Sequence, residues 1–209
     1  MAASTHLGWY KHGKLPHYDC PDLYQAITYR LADSLPSSVF ASLQSEPEKR
    51  NTSQAQLNAS RRIHCEEMLD TCHGSCILRQ HHNATLVLDG WHYFDEKRYD
   101  LVIGVVMPNH VHVLIRMYPE SLLGATVKTW KNYAARRFTN EIVPGLIPHW
   151  QAGYWDRFIR NEKHLHDVVE YIVFNPVKAR LVELPEQWPY FAIGKTAGLV
   201  TGPPGGAIS

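Results

Sequence analysis

Two histidines, a tyrosine and an asparagine are the residues of this chain with the types and spacing for chemistry on a phosphodiester. His110 and His112 sit in Met107-Pro108-Asn109-His110-Val111-His112, inside an apolar run over 102–115. Strand side chains alternate faces, so both imidazoles point one way while Val111 turns to a core. Alternate strand positions are about 7 Å apart along the backbone, near enough for two imidazoles to converge on one divalent ion. Val105, Val106, Val111, Val113 and Leu114 mark a central, buried strand, and imidazoles at such a place need a reason. Farther on, Tyr171 and Asn175 are four residues apart in a helical pattern and share a helix face. Leu165, Val168, Val169, Ile172 and Val173 form the core stripe of that helix, and Tyr171, Asn175 and His164 run along one edge of it.

The chemistry follows from the charge of a phosphodiester, which repels a nucleophile. A divalent cation on two histidines and an amide oxygen, that of Asn175, polarises a non-bridging oxygen and offsets developing charge. A tyrosine, with an ordinary pKa of about 10, attacks phosphorus once its proton is lost. The product is a phosphotyrosine and a free hydroxyl, so the bond energy is kept for joining a second DNA end. Each residue also has a structural reading. The histidines fit a surface pair, Tyr171 a ring packed at a core border, and Asn175 a C-terminal cap before Pro176.

The elements that position these residues are legible as patterns. Residues 23–31 read as a first strand, and Asp33-Ser34-Leu35-Pro36 stops it. Residues 37–72 read as helical, with a charged loop around 46–53. After a turn at 74–80, a helix opens at Asn83 and runs to about Phe94. Strands follow at 99–107 and 110–117, broken by Pro108-Asn109. Pro119-Glu120-Ser121 caps a helix over roughly 121–140, with Trp130 at core spacing. Residues 144–153 are a loop and 154–160 a short strand. Asn161 is a helix N-cap, and the next helix runs from Glu162 to Asn175, ended by Pro176. This order predicts an α+β, ferredoxin-like sandwich: a central antiparallel sheet with one face under helices, and a helical insertion after the first strand at about 37–80. One domain over 14–193 is expected between loose tails at 1–13 and 194–209, the first extending in character to about Asp19.

The chain has 209 residues, 44% hydrophobic and 20% charged, which suits one globular domain. No apolar stretch reaches the roughly 20 residues of a membrane span, and no export signal is visible, so a cytoplasmic protein is expected. The formal net charge is +1, so any nucleic-acid face must be local. Lys128, Lys131, Arg136, Arg137, Arg157 and Arg160 are candidates for phosphate, and Tyr154, Trp155 and Trp130 for stacking on unpaired bases. The alternatives are solvated helix faces for the charges and packing for Trp130. Cys20, Cys65, Cys72 and Cys76 match neither a paired CxxC nor a finger spacing, so reduced thiols are expected.

Taken together, these stretches resemble the single-tyrosine HUH transposases, above all their domesticated branch, the REP-associated tyrosine transposases. The carriers are Leu15-Pro16-His17-Tyr18, Arg30-Leu31-Ala32-Asp33-Ser34-Leu35-Pro36, the run Val106 through Ile115, Trp130-Lys131, Trp150-Gln151, the run Tyr154 through Glu162, Tyr171-Ile172 and Asn175-Pro176-Val177-Lys178-Ala179. The resemblance implies the HUH transposase fold, His110, His112 and Asn175 as ligands of Mg²⁺ or Mn²⁺, and Tyr171 as nucleophile. It implies single-stranded DNA beside a hairpin of palindromic repeats as substrate, a 5′-phosphotyrosine intermediate, a nucleoid-associated cytoplasmic location, and a monomer or homodimer. Arg180 departs from the pattern, standing where a glycine usually follows Val-Lys-Ala. Two other functions compete: a retired transposase that binds palindromic DNA without cutting, and a metal-dependent hydrolase of small phosphoesters.

Overall fold

The valine-rich run around the two histidines sets the architecture. In the computed structural model, which describes residues 6–12, 15–36, 54–138 and 149–195, this run forms a hairpin. Strand β4 (Tyr99–Val106) turns at 107–109 into strand β5 (His110–Met117). Both are buried along nearly their whole length, as continuous apolar runs require. Upstream lie a small hairpin of β1 (Gly8–His12) and β2 (Leu15–Asp19), then β3 (Tyr24–Arg30). Downstream come β6 (Trp155–Phe158) and β7 (Phe191–Ile193). The main sheet is antiparallel with order β6-β3-β5-β4-β7. Its first four strands have the ferredoxin-like order, and β7 adds an edge.

The described residues contain four α-helices: α1 (Gln54–Asp70), α2 (His81–Phe94), α3 (Leu123–Ala135) and α4 (Glu162–Lys178). Val111, Val113 and Ile115 of β5 meet Val87 and Trp91 of α2 and Val127 and Trp130 of α3. The indole N–H groups of Trp91 and Trp130 donate to the hydroxyls of Tyr29 and Tyr99 at 3.1 and 3.0 Å, which satisfies both buried donors. The other sheet face carries Leu114, Val105 and Ile103 against Val168 and Ile172 of α4. His110 and His112 belong to this second face, on the same side as Leu114.

Several expectations are corrected. Helices cover both sheet faces, not one. Residues 8–12 and 15–19, read as part of a loose tail, form the β1–β2 hairpin; their His and Tyr residues lack an apolar alternation. The hairpin is tied down by Asp156 of β6, which accepts from the Tyr18 backbone N–H at 3.1 Å and pairs with the buried His17 imidazole. Strand β7 was not foreseen, being three residues long. Helix α3 starts after Leu122, not at the Pro-Glu-Ser segment, and Leu122 supplies no side-chain cap. Instead the Asp19 carboxylate accepts the Leu123 N–H at 3.3 Å. Helix α4 runs through Pro176 to Lys178, so Asn175 lies inside it and Ala179 is the C-cap. A proline in the last turn forfeits one hydrogen bond without ending the helix at once. The charged loop of the insertion, the end of the helix expected to 140 and the C-terminal tail beyond 195 lie outside the described residues.

The departure at Arg180 has a backbone consequence. The reversal after α4 is closed by Arg180 N–H to Val177 O and Leu181 N–H to Pro176 O, both 2.9 Å. Arg180 itself sits at φ 57°, the left-handed region that favours glycine. Arg180→Gly is expected to stabilise the protein by about 1 kcal/mol, measured by urea unfolding. A lower midpoint in the variant would contradict that strain.

Candidate metal and nucleophile site

The register of β3 against β5 builds the site. Thr28 lies opposite His112 and Arg30 opposite His110. His112 Nδ1 is 2.8 Å from Thr28 Oγ1, and His110 Nδ1 is 2.8 Å from Asn109 Oδ1. The Asn109 amide is oriented by its Nδ2, which donates to His73 O at 2.9 Å, so its oxygen faces His110. His110 therefore carries its proton on Nδ1 and leaves Nε2 bare. The two Nε2 atoms meet at 3.0 Å, with the rings at 83°. The Thr28 hydroxyl can donate or accept. Without a cation, His112 can hold its proton on Nε2 and donate to His110. A cation held here would need that proton on Nδ1, leaving both Nε2 lone pairs free to hold it.

Both imidazoles are buried, at 0% and 3% exposure. Burial, then the neighbouring His112, Lys178 and Arg30, holds His110 well below its ordinary pKa of 6.5. Burial and then Lys178 bring His112 to about 3. Both are neutral at physiological pH, the state in which imidazole binds metal.

Helix α4 brings the remaining parts. Asn161 Oδ1 caps it by accepting His164 N–H at 2.8 Å, as its sequence position predicts. Val168 and Ile172 seat it on the sheet, and the Tyr171 ring meets the His112 ring at 5.1 Å and 81°. One turn later Asn175 is fully buried, and neither its Oδ1 nor its Nδ2 finds a hydrogen-bond partner. An orphaned buried amide is costly, which is a reason to look for a ligand at that place. Its C-capping role is excluded, because its side chain is interior and its carbonyl accepts Ala179 N–H at 2.9 Å within the helix.

The donor spacing suits a six-coordinate divalent ion, and its two nitrogen donors favour a transition metal over Mg²⁺. Adjacent positions of an octahedral shell of radius about 2.1 Å are about 3.0 Å apart, matching the Nε2 separation, and an amide oxygen is an acceptable third donor. Among the described residues no cluster of three or more His, Cys, Asp or Glu could hold a metal, so the candidate rests on this His-His-Asn set. The four cysteines are free thiols.

Sequence reasoning missed four neighbours. Thr28 and Asn109 orient the imidazoles. Lys178 lies with its Nζ 5.5 Å from the Tyr171 ring centre and pairs with Asp70, the last residue of α1, at 2.9 Å. Burial raises the Asp70 pKa, and Lys178 opposes that rise. Only Asn109, next to His110, could have been suspected locally; the others need the register or the docking of α1. Helix α1 reaches the site because Cys65 and Leu69 pack with Leu35 and Trp155. Beside His112 and Tyr171 opens a cavity of about 230 Å³, also lined by Thr28, Glu66, Trp155 and Arg157.

The other predicted DNA contacts separate. Trp155 and Arg157 line the cavity beside His112 and Tyr171, and exposed Arg160 lies 5.6 Å from the Phe158 ring. Lys128, Arg136 and Arg137 are exposed on or just after α3, which covers the opposite sheet face. Lys131 donates to Gln151 O and Gly153 O at 2.6 and 2.9 Å, and burial lowers its pKa to about 8. Tyr154 is buried, with its hydroxyl 2.8 Å from that of Tyr10. Trp130 is core.

Residues 80–175, which include His110, His112, Tyr171 and Asn175, match the family model of IS200-like transposases. The chain is 27% identical over 104 residues to a Haemophilus influenzae protein named a REP-associated tyrosine transposase, covering 44% of this chain and 57% of that protein. It is 30% identical over 95 residues to the REP-associated tyrosine transposase of Escherichia coli, covering 46% and 54%. The chain thus matches little more than half the length of these relatives. A solved structure of a REP-associated tyrosine transposase bound to a REP hairpin superposes with a TM-score of 0.51 at 19% identity, over 86% of this chain and 82% of that one, and so shares the fold. The resemblance read from the sequence is borne out, and so is the fold class.

Two outcomes are expected. Thr28→Val should weaken Mn²⁺ binding 10- to 100-fold by calorimetry, the usual loss when a ligand's orienting partner is removed; unchanged affinity would detach Thr28 from the site. In chelator, stability should fall as pH drops from 6.5 toward 4, by roughly 1 kcal/mol per pH unit for each histidine that only the unfolded chain protonates. Stability is full above 6.5, where neither state binds that proton. In His112→Gln the slope should flatten by one proton in urea titrations, and parallel slopes would exclude a buried neutral His112.

Proposed function

We propose that this chain is a metal-dependent nicking and strand-transfer enzyme for single-stranded DNA beside a hairpin, acting through a 5′-phosphotyrosine on Tyr171. The observation that carries the reading is the contact of the Tyr171 ring with His112, whose Nε2 faces that of His110. In this reading His110, His112 and the Asn175 amide oxygen hold Mg²⁺ or Mn²⁺, which when bound polarises a non-bridging phosphate oxygen.

The chain's own residues do the rest. The Tyr171 phenol loses its proton to water and its oxygen attacks phosphorus. The bond from phosphorus to the 3′ oxygen breaks, and that oxygen leaves as a hydroxyl after taking a proton. The 5′ phosphate stays on Tyr171. A second 3′-hydroxyl can attack it, restore a phosphodiester and release the phenol, with no water consumed. Arg157 at the cavity and Lys178 beside the Tyr171 ring supply positive charge near the reacting phosphate. Hairpin DNA as substrate is supported by the names of the relatives and of the solved structure with the shared fold. Palindromic chromosomal repeats would place the protein at the nucleoid.

The test is a hairpin oligonucleotide with an unpaired flank, incubated with Mn²⁺ or Mg²⁺ and run on a denaturing gel. Wild-type protein should give a covalent adduct that chelator abolishes. Tyr171→Phe should give none while binding the hairpin within about threefold of wild type. Undiminished adduct in that variant would reject Tyr171 as nucleophile. Cleavage to a free 5′-phosphate without adduct would favour a hydrolase, and binding without cleavage a retired binder.

A further inference from the structure

The β1–β2 hairpin carries a set of aromatic and cationic side chains that the proposed chemistry does not use. Trp9 is 66% exposed. It lies across from Tyr18 in the register of the hairpin, with ring centres 4.9 Å apart. The Tyr18 ring is 5.1 Å from Phe158 of β6, and Trp9 is 6.2 Å from the same ring. The Arg160 guanidinium lies 5.6 Å from Phe158, and exposed Lys11 is two residues from Trp9, on the same face of β1. The ladder therefore runs Trp9, Tyr18, Phe158, Arg160, with Lys11 at its side.

Trp9 meets Tyr18 and Phe158 on one side only, and most of its ring surface stays available to another flat partner. The surface has the two ingredients that hold unpaired nucleic acid without reading sequence, aromatic faces for bases and cations for the backbone. Its position fits that occupant. Arg157, which lines the cavity beside Tyr171, and Phe158 are neighbours in edge strand β6 and point to opposite faces of it, with Arg160 two residues beyond Phe158. Because β6 is the edge of the sheet, a strand leaving the cavity reaches the ladder by passing around that edge within a few nucleotides.

The geometry points to a stacking platform at Trp9, Tyr18 and Phe158 that holds unpaired bases of the single-stranded flank next to the cleaved phosphate. This inference rests on the single-strand DNA reading above and specifies where the flank runs. Electrostatics favour DNA over an apolar protein segment, because the rim of the patch is cationic.

The experiment compares a hairpin carrying an unpaired flank with the same hairpin made blunt, by fluorescence anisotropy, for wild type, Trp9→Ala and Trp9→Phe. The exposure of Trp9 makes the truncation compatible with folding, checked by circular dichroism. Trp9→Ala should weaken binding of the flanked hairpin roughly 5- to 150-fold, the range for losing one stacked base. It should leave blunt binding within twofold and the salt slope unchanged, since no phosphate contact is lost. Trp9→Phe should restore most of the affinity, and abasic sites in the flank should erase the difference. Equal binding of the flanked hairpin by wild type and Trp9→Ala overturns the platform. So does a Trp9→Ala protein that merely sediments as a smaller species, which would make the patch a contact between copies. If wild type binds neither oligonucleotide, both readings fall. If Trp9→Ala loses flank binding but wild type forms no adduct, the platform stands and the strand-transfer chemistry alone fails.

Discussion

Everything at the centre of this molecule answers to one constraint: two imidazole nitrogens face each other at 3.0 Å on a buried sheet face. Two bare lone pairs at that distance repel unless a proton or a cation stands between them. The surroundings hold the pair there nonetheless. Thr28 fixes one ring from the neighbouring strand and Asn109 the other from the turn, while α4 closes over the top. Burial keeps both rings neutral, and Arg30 and Lys178 add to that by disfavouring any imidazolium. Lys178 is shared between this neighbourhood and Asp70, and the cavity beside it carries Arg157 together with Glu66, Asp156 and Asp167.

The chain presents this centre on a surface whose charge is divided. Trp155, Arg157 and Arg160 lie on or beside edge strand β6, while Lys128, Arg136 and Arg137 belong to the far face covered by α3. A net charge of +1 conceals that division. Lys131, which looks equivalent to Lys128 in sequence, is instead a structural donor to two loop carbonyls. Tyr154 likewise faces inward to Tyr10 and the core.

Legibility from sequence followed the range of the interaction. The histidine pair and the bounds of β5 were readable because period-two alternation and valine content act over a few residues. Tyr171, Asn175 and the Asn161 cap were readable because helical spacing and capping are local too. Thr28 was invisible, since its role exists only once β3 is in register with β5. Asp70 was invisible because it depends on how α1 docks, and Lys178 was visible as part of a motif but with no role attached to it. Pro176 misled in the other direction, because a proline near the end of a helix removes a bond that the last turn can do without. The β1–β2 hairpin was missed because its stability comes from contacts with β6 and not from an apolar alternation of its own.

The insertion that carries α1 sits inside a long excursion of the chain. Thr28 and His112 are 84 residues apart, yet share a hydrogen bond in adjacent strands. Closing such an excursion is entropically demanding and tends to slow folding, so the pocket forms only when this distant pairing is made. The closure entropy grows only with the logarithm of length, about 0.6 kcal/mol for each doubling. Segments between β3 and α2 can therefore lengthen or shorten considerably during evolution without loosening the pairing that aligns Thr28 with His112.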